Sequence, residues 1–278
     1  VTVTWTPPKA RRVDFNEHQL KKGLNMSRAL LIFVVALALS TALNVSAGIL
    51  IPGGDFQMGD SFGEGRADEL PVHTVYVNSF YMDAYEVTNQ QYADALNWAW
   101  AQGDLIQVTS GVVYQYGGTS YPYCDTTVSS AYSQITWDGS TFSVVAGKAG
   151  HPMVQVSWYG SVAYCNWRSA MENRPLCYDL SNWTCNFSSG GHRLPTEAAW
   201  EKAAAWDPVQ QYHFRFGEHT DGCGYDCLDG ERVNYDASGD PYEAGADPWT
   251  TPVGWRADPD RHGEPVRDPV HRRVSANS

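Results

Sequence analysis

Tyr81-Met-Asp-Ala-Tyr-Glu-Val-Thr88 runs directly into Asn89-Gln-Gln-Tyr-Ala-Asp-Ala-Leu-Asn-Trp-Ala99, and the change of period between them decides the fold class. Residues 72–82 alternate and are rich in Val, Tyr and Phe, which suits one long half-buried strand. From Thr88 the spacing changes. Tyr92, Ala95, Leu96 and Ala99 recur at i, i+3, i+4 and i+7, one apolar stripe of a helix. Thr88 and Gln91 stand at capping-box spacing, so each side chain can satisfy a backbone donor at the other residue.

Upstream, Gly48-Ile-Leu-Ile-Pro52, Gly53-Gly54 and Asp55-Phe-Gln-Met58-Gly59 read as a short strand, a turn and a second strand. Downstream, residues 103–150 are rich in Gly, Ser, Thr and Tyr. They carry short alternating pieces at Val112–Tyr116 and Thr141–Val145, as a strand-and-loop insertion would. His151-Pro-Met-Val-Gln-Val-Ser157 reads as a strand ending at an N-cap. Trp158, Val162, Ala163, Trp167 and Ala170 then mark a second amphipathic helix. A third begins after Arg193-Leu-Pro-Thr196, with Thr196 as cap, Glu197 at the positive helix end and Trp200 expected to face inward. Residues 206–255 read as mostly loop.

This order lacks the βαβ alternation of a parallel doubly wound sheet, and neither GxGxxG nor GxxxxGK[ST] occurs. The expected class is α+β, loop-rich, with short antiparallel strands and about three helices.

Composition narrows the function classes. The 278 residues are 43% hydrophobic and 13% aromatic, with 11 Trp and 16 Tyr, which excludes a disordered chain. A formal charge of −12 argues against a nucleic-acid partner held on a basic face. Met26-Ser-Arg28, the apolar run Ala29–Leu39 and Val45-Ser-Ala47 before Gly48 have the layout of a cleaved secretory signal over 26–47. Polar residues interrupt the run too early for a membrane anchor, so no membrane span is expected after signal cleavage. Residues 1–25 are expected to be an upstream extension rather than native sequence. Residues 256–278 lack aromatics and carry both signs of charge, as a disordered or frameshifted tail would. The expected location is secreted, periplasmic or cell-surface. Without residues 1–47 the charge becomes 13 − 29 = −16, a strongly acidic exported body.

Four words occur in order along this body. They are Ile51-Pro-Gly-Gly-Asp-Phe-Gln-Met-Gly59, Tyr81–Asn89 with Tyr92, Pro152–Trp158 with Ala163-Tyr-Cys-Asn-Trp167, and Arg193-Leu-Pro-Thr-Glu197 with Trp200-Glu201. Their succession resembles the formylglycine-generating enzyme, or sulfatase-modifying factor, family, and Thr250-Thr-Pro-Val-Gly254 also fits. The resemblance implies one domain of C-type-lectin-like topology over 48–255. The family includes copper-dependent oxidases that convert a sulfatase cysteine to formylglycine, sulfoxide synthases, maturation factors and non-catalytic surface modules. In the oxidases the copper-binding cysteine pair lies late, after a Gly-Asn-Val-Trp-Glu-Trp-like segment, and near an Arg-Gly-Gly-Ser-like strand. Neither segment occurs here. The resemblance therefore implies a partial domain without catalytic residues, a calcium-stabilised module that binds a protein or glycan partner or assists maturation. The alternative is a fragment of a copper-dependent oxidase, copper belonging only to a complete catalytic relative.

For metal, the family's structural calcium is held by an Asn side chain, the next carbonyl, a later Asp and the carbonyl two beyond. Asn234, Tyr235, Asp247 and Trp249 resemble those pieces, with Asp240 or Glu243 as alternative acids. Hard cations take such oxygen donors from irregular acidic loops, and a merely solvated acidic loop over 218–247 reads equally well. Cys223-Gly-Tyr-Asp-Cys227 is the one close cysteine pair, read as a loop-bracing disulfide ahead of a soft-metal site. Cys177 and Cys185 flank a short segment and could also bridge, and Cys165 is expected to be a buried thiol. His73, His151, His192, His213 and His219 show no HExxH or HxH spacing and are expected to be hydrogen-bonded strand or loop residues. Glu86, Arg193 and Glu197 are expected to cap or to form buried ion pairs.

Overall fold

In the computed structural model, residues 48–61, 63, 66–205 and 247–254 are described. The stretches read as an upstream extension, a signal and a tail lie outside them, as do Cys223, Cys227, His213 and His219. Strands β1 (Ile49–Ile51), β2 (Gly54–Met58), β3 (His73–Val77) and β4 (Phe80–Met82) open the domain. β1 does not fold back on β2: it pairs with β4, and β2 pairs with β3, both antiparallel. Ile51 opposite Phe80 and Gly54 opposite Val77 keep one register through both pairings. They form one ribbon interrupted in the middle. Pro52 has no N–H to give the ladder, which explains why 72–82, expected as one strand, is two. Gly53 lies against the opposite chain, where a Cβ would come within 2.8 Å of the Ser79 nitrogen. The anticipated turn at Gly53-Gly54 is thus an extended interruption.

Helix α1 (Asn89–Gln102) begins as its capping box requires. Thr88 Oγ1 accepts from the Gln91 N–H at 3.2 Å, and Gln91 Oε1 accepts from the Thr88 N–H at 2.9 Å. Tyr92, Ala95, Leu96 and Ala99 are all buried, so the stripe faces the core. The helix stops at Gly103, whose φ of 87° is the left-handed C-cap conformation.

The insertion builds a three-stranded antiparallel sheet, β5 (Ile106–Thr109), β6 (Val112–Gln115) and β7 (Pro122–Asp125), and a hairpin, β8 (Ile135–Trp137) with β9 (Phe142–Val144). Asn97 of α1 grips β9 by both its amide groups, donating to the Phe142 carbonyl and accepting from the Phe142 N–H, each at 2.8 Å. Residues 151–157 do not become a strand. They make two single bridges, Pro152 to Thr88 and Val156 to Cys124. Pro152 removes a donor, and Gln155 at φ 56° turns the chain out of the extended region.

Helix α2 (Trp158–Met171) is capped by Ser157, whose Oγ accepts from the Gly160 N–H at 3.1 Å. It crosses β7 and α1 at a point of close approach. A Cβ on Gly160 would stand 2.1 Å from the Tyr123 carbonyl oxygen, and Tyr92 Oη donates to the Gly160 carbonyl at 3.2 Å. Val162, Ala163 and Trp167 are buried as the stripe predicts, but Trp158 is exposed in the first turn. The hairpin β10 (Tyr178–Asp179) with β11 (Thr184–Cys185) follows, then helix α3 (Glu197–Ala205). Thr196 caps α3 by accepting from the Ala199 N–H at 3.2 Å. Trp200, expected inside, is 61% exposed, and the inward face is instead Ala199 and Lys202, one turn apart. A small residue and a long one suit a helix seated close over β2, where the bulk of an indole has no room.

Candidate functional site

Three places gather chemistry-bearing side chains, and each joins distant parts of the chain. The first is the segment 247–254, which carries two of the four anticipated metal ligands. Asp247 is exposed and Trp249 is 40% exposed. Two contacts hold the segment down. His151 Nδ1 bonds Thr250 Oγ1 at 2.9 Å, and the Val253 N–H donates to the Gly150 carbonyl at 2.8 Å. Burial pushes the His151 pKa down, with the nearby Lys148 charge adding to it, so this imidazole is neutral at pH 7. Asn234 and Tyr235 lie outside the described residues. Among the described residues, no three His, Cys, Asp or Glu side chains converge as a metal site.

The second place is an ion cluster around Arg168. Its guanidinium forks onto Asp83 through Nη1 and Nη2, and its Nε bonds Glu172 Oε1 at 3.1 Å. Glu172 also accepts from Arg174 Nε at 2.9 Å and meets His192 Nε2 at 2.7 Å. Arg168 and Glu172 stand one turn apart on α2, so the helix presents them together. Asp83 comes from the end of β4, and His192 from the loop before α3. Burial works against the Arg168 charge, yet the hydrogen bond and charge of Asp83 outweigh it and hold the pKa above the ordinary guanidinium value. Burial likewise opposes the Glu172 charge, but His192 and Arg168 together pull its carboxyl below the usual range. Glu86 and Glu197, in contrast, are exposed. Arg193 spends its guanidinium on the Leu194 carbonyl and the Phe187 ring. The buried ion pairing expected of Glu86, Arg193 and Glu197 thus belongs to Asp83, Arg168, Glu172 and His192. The readable signal was the opposite charge of Arg168 and Glu172 at i, i+4.

The third place is a thiol cluster. Cys165 on α2, Cys177 before β10 and Cys185 on β11 share one apolar cluster with Val162 and Tyr178. None is bridged, so the Cys177–Cys185 link that the sequence leaves open is not formed in this structure. Cys165 is buried as expected, and burial pushes its thiol up to about 12. Cys124 is buried elsewhere in the core, its thiol pushed up by the same cause. Such thiols are protonated at neutral pH and act as small hydrophobes.

Helix α3 clamps β2. The Gly59 N–H donates to Glu201 Oε1 at 2.8 Å, and Lys202 Nζ donates to the Gly54 carbonyl at 2.7 Å. His73 Nδ1 meets the Pro71 carbonyl at 3.0 Å, a local loop bond.

These features define a loop-rich α+β domain whose sequence words tie its helices to a broken N-terminal ribbon. Residues 36–251 match the model of the sulfatase-modifying factor enzyme 1-like domain, and the chain belongs to that family. It is 34% identical over 167 residues to a formylglycine-generating enzyme of Streptomyces coelicolor, covering 56% of this chain and 46% of that protein. It is 30% identical over 164 residues to a formylglycine-generating enzyme of Mus musculus, covering 54% and 37%. A serine/threonine-protein kinase pkn1 of Chlamydia pneumoniae is 31% identical over 157 residues, covering 56% of this chain and 19% of that one. The chain thus spans less than half the length of each of these relatives. Among solved structures, PvdO from Pseudomonas aeruginosa matches 71% of the chain and 60% of its own at 20% identity and a TM-score of 0.40. CarF matches 56% and 54% at 24% identity and a TM-score of 0.37. Among the described residues, no helix is long and apolar enough to cross a membrane.

Proposed function

We propose that this chain is an exported sulfatase-modifying-factor-like domain acting as a calcium-stabilised binding or maturation module, not as the oxidase itself. The observation that carries this reading is the use made of the described thiols. Cys124 and Cys165 are buried and held protonated, and the motif side chains around them cap helices, pair ions and clamp strands. A cysteine oxidase needs thiolates that reach a soft metal and a substrate, and these thiols pack instead. The signal-like layout of residues 26–47 supports export, and the acidic balance of residues 48–278 suits a hard cation over a nucleic acid.

The half of the calcium set that the structure describes fits the ion chemically. Asp247 offers an exposed carboxylate, and the Trp249 backbone a carbonyl, both hard oxygen donors. The ion would join Asp247 and Trp249 to Asn234 and Tyr235, tying two loops together. A melting experiment with calcium and with chelator tests this. A ligand bound only by the native state at a hundred times its Kd adds about 2.7 kcal/mol. That corresponds to a Tm rise of roughly 5–10 °C for a domain of this size. An unchanged Tm sinks the calcium site.

The oxidase reading draws support from the names of the relatives. It is tested by incubating the chain with Cu(I), oxygen and a peptide carrying a sulfatase-type cysteine. Aldehyde in the product would overturn the non-catalytic reading, and intact peptide is the expected result.

A further inference from the structure

Three elements bring four aromatic rings to one place on the surface. Tyr121 stands just before β7, Trp158 and Tyr159 open α2, and Trp183 lies in the turn between β10 and β11. Trp183 is the hub. Its ring centroid lies 4.6 Å from that of Tyr159, 5.0 Å from Tyr121 and 6.1 Å from Trp158. Tyr121 and Tyr159 meet at 4.7 Å, and Trp158 and Tyr159 at 5.4 Å. The set is packed yet open to water, with Trp158 51% and Tyr121 38% exposed. Single exposed aromatics are ordinary, but a contiguous set marks an interaction surface. The backbone under it is fixed. The Ser157 N–H donates to the Tyr123 carbonyl at 2.9 Å, holding the start of α2 on β7, and the Trp183 N–H donates to the Asp179 carbonyl at 2.7 Å. Trp183 also has φ 62°, a left-handed conformation that bulky residues rarely adopt. Rings fixed in advance lose little entropy when a partner docks.

What covers the patch follows from its hydrogen-bonding groups and its charge. The polar groups of the hairpin turn beside it are already used. Asp179 accepts from the Ser181 N–H and hydroxyl at 2.9 and 2.7 Å and from Asn182 Nδ2 at 2.9 Å. Asn182 Oδ1 accepts from the Thr184 N–H and hydroxyl at 3.0 and 2.6 Å. Little is left there for the many hydroxyls of a glycan. The rings carry indole and phenol donors, which suit a ligand made of acceptors. A polyproline II segment is such a ligand: its carbonyls have no internal partners, its prolines have no N–H to satisfy, and its rings lie on aromatic faces. The four side chains are uncharged, but Asp179 is exposed in the same hairpin. Hydrogen bonds from Ser181 hold its carboxyl below the usual range, so it stays ionised. With residues 48–278 at 13 − 29 = −16, the surroundings attract Lys and Arg and repel acidic chains.

We propose that Tyr121, Trp158, Tyr159 and Trp183 form a docking surface for an extended proline-rich segment of a partner protein, one that carries Lys or Arg beside its prolines. The prolines lie against the rings, and the acidic surroundings steer the basic flanks. This names the partner class for the binding-module reading above and rests on it.

Fluorescence anisotropy tests the proposal, with the whole chain titrated into a fluorescein-labelled oligoproline peptide bearing an arginine at each end. The expected result is saturable binding, and weaker binding of the same peptide with glutamates at its ends. W158A and Y121S should each raise Kd by at least about tenfold with Tm unchanged. Y76A, which truncates an exposed ring on β3, should bind as the parent does. Absence of binding, binding that survives both W158A and Y121S, or a glutamate-flanked peptide that binds as well overturns the proposal. So does quenching of tryptophan fluorescence by a neutral oligosaccharide without peptide binding, which gives the patch to a glycan. A dimer in sedimentation that W158A dissolves also overturns it, giving the patch to a second copy of the chain. The calcium melting test reads a different property. A Tm shift without peptide binding keeps the calcium-stabilised module and removes this surface, and peptide binding without a Tm shift keeps the surface and removes the calcium.

Discussion

Replacing Gly160 by Ala sets two effects of opposite sign against each other. Alanine in a helix interior is favoured over glycine by about 1 kcal/mol, so propensity alone predicts a more stable G160A chain. The packing predicts the reverse. The new Cβ would lie 2.1 Å from the Tyr123 carbonyl oxygen, 2.7 Å from the Tyr123 carbonyl carbon and 2.8 Å from Tyr92 Oη. A carbon–oxygen contact needs more than about 3 Å, so α2 must retreat from β7 by roughly 1 Å, and overpacking of that kind costs about 1–3 kcal/mol. The retreat also strains the buried Tyr92–Gly160 hydrogen bond at 3.2 Å, worth about 1 kcal/mol. The net expectation is a loss of roughly 1–3 kcal/mol, or about 2–12 °C in Tm at the usual scaling for this size. Urea unfolding and calorimetry of G160A beside G103A would measure it. Gly103 has φ 87° with nothing within 4 Å of its ideal Cβ, so alanine there should cost only the backbone strain, about 1 kcal/mol. If G160A is as stable as the parent or more so, the close approach of α2 to β7 is not as described.

Asp83→Asn should cost about 1–2 kcal/mol in urea unfolding, because it leaves the partly buried Arg168 charge with Glu172 as its remaining carboxylate. Glu172 has a folded pKa below its unfolded value, so its stabilisation is complete above about pH 5 and fades as pH falls through the folded value. Glu172→Gln should accordingly lower stability at pH 7 but flatten its further loss on acidification, read from Tm against pH. Thr88→Ala removes the acceptor of the α1 capping box and should cost about 1 kcal/mol, with hydrogen exchange quickening in the first turn of that helix.

What could be read from residues alone was whatever depends on neighbours in sequence. The caps at Thr88, Ser157 and Thr196 and the buried stripe of α1 follow from spacing over one or two turns, and all stand in the structure. The failures share a long-range cause. Residues 72–82 are rich in Val, Tyr and Phe and read as one strand, yet the strand breaks because Pro52, on the opposite strand, cannot donate. Trp200 looked like a core residue because indoles usually are. Its face is decided by how closely α3 approaches β2, which periodicity does not encode. The Arg168 cluster was missed because Asp83 is 85 residues away and only the folded chain brings the two together. Of the calcium candidates, Asp247 and Trp249 belong to an exposed described segment, and Asn234 and Tyr235 lie outside the described residues.

The bond between His151 and Thr250 joins residues 99 positions apart, and it sits at the base of α1, where the Asn89 N–H donates to the His151 carbonyl at 2.9 Å. During synthesis the first helix is made early, but the segment that braces its N-terminal end follows 99 positions after His151. At about 5–20 residues per second the gap lasts roughly 5–20 s. Through that interval His151 has no Thr250 to bond, and the surface that the segment covers faces solvent or a chaperone. A chain interrupted between α3 and Asp247 would hold its helices without the brace, and damage to the short stretch 247–254 should be felt first at the start of α1.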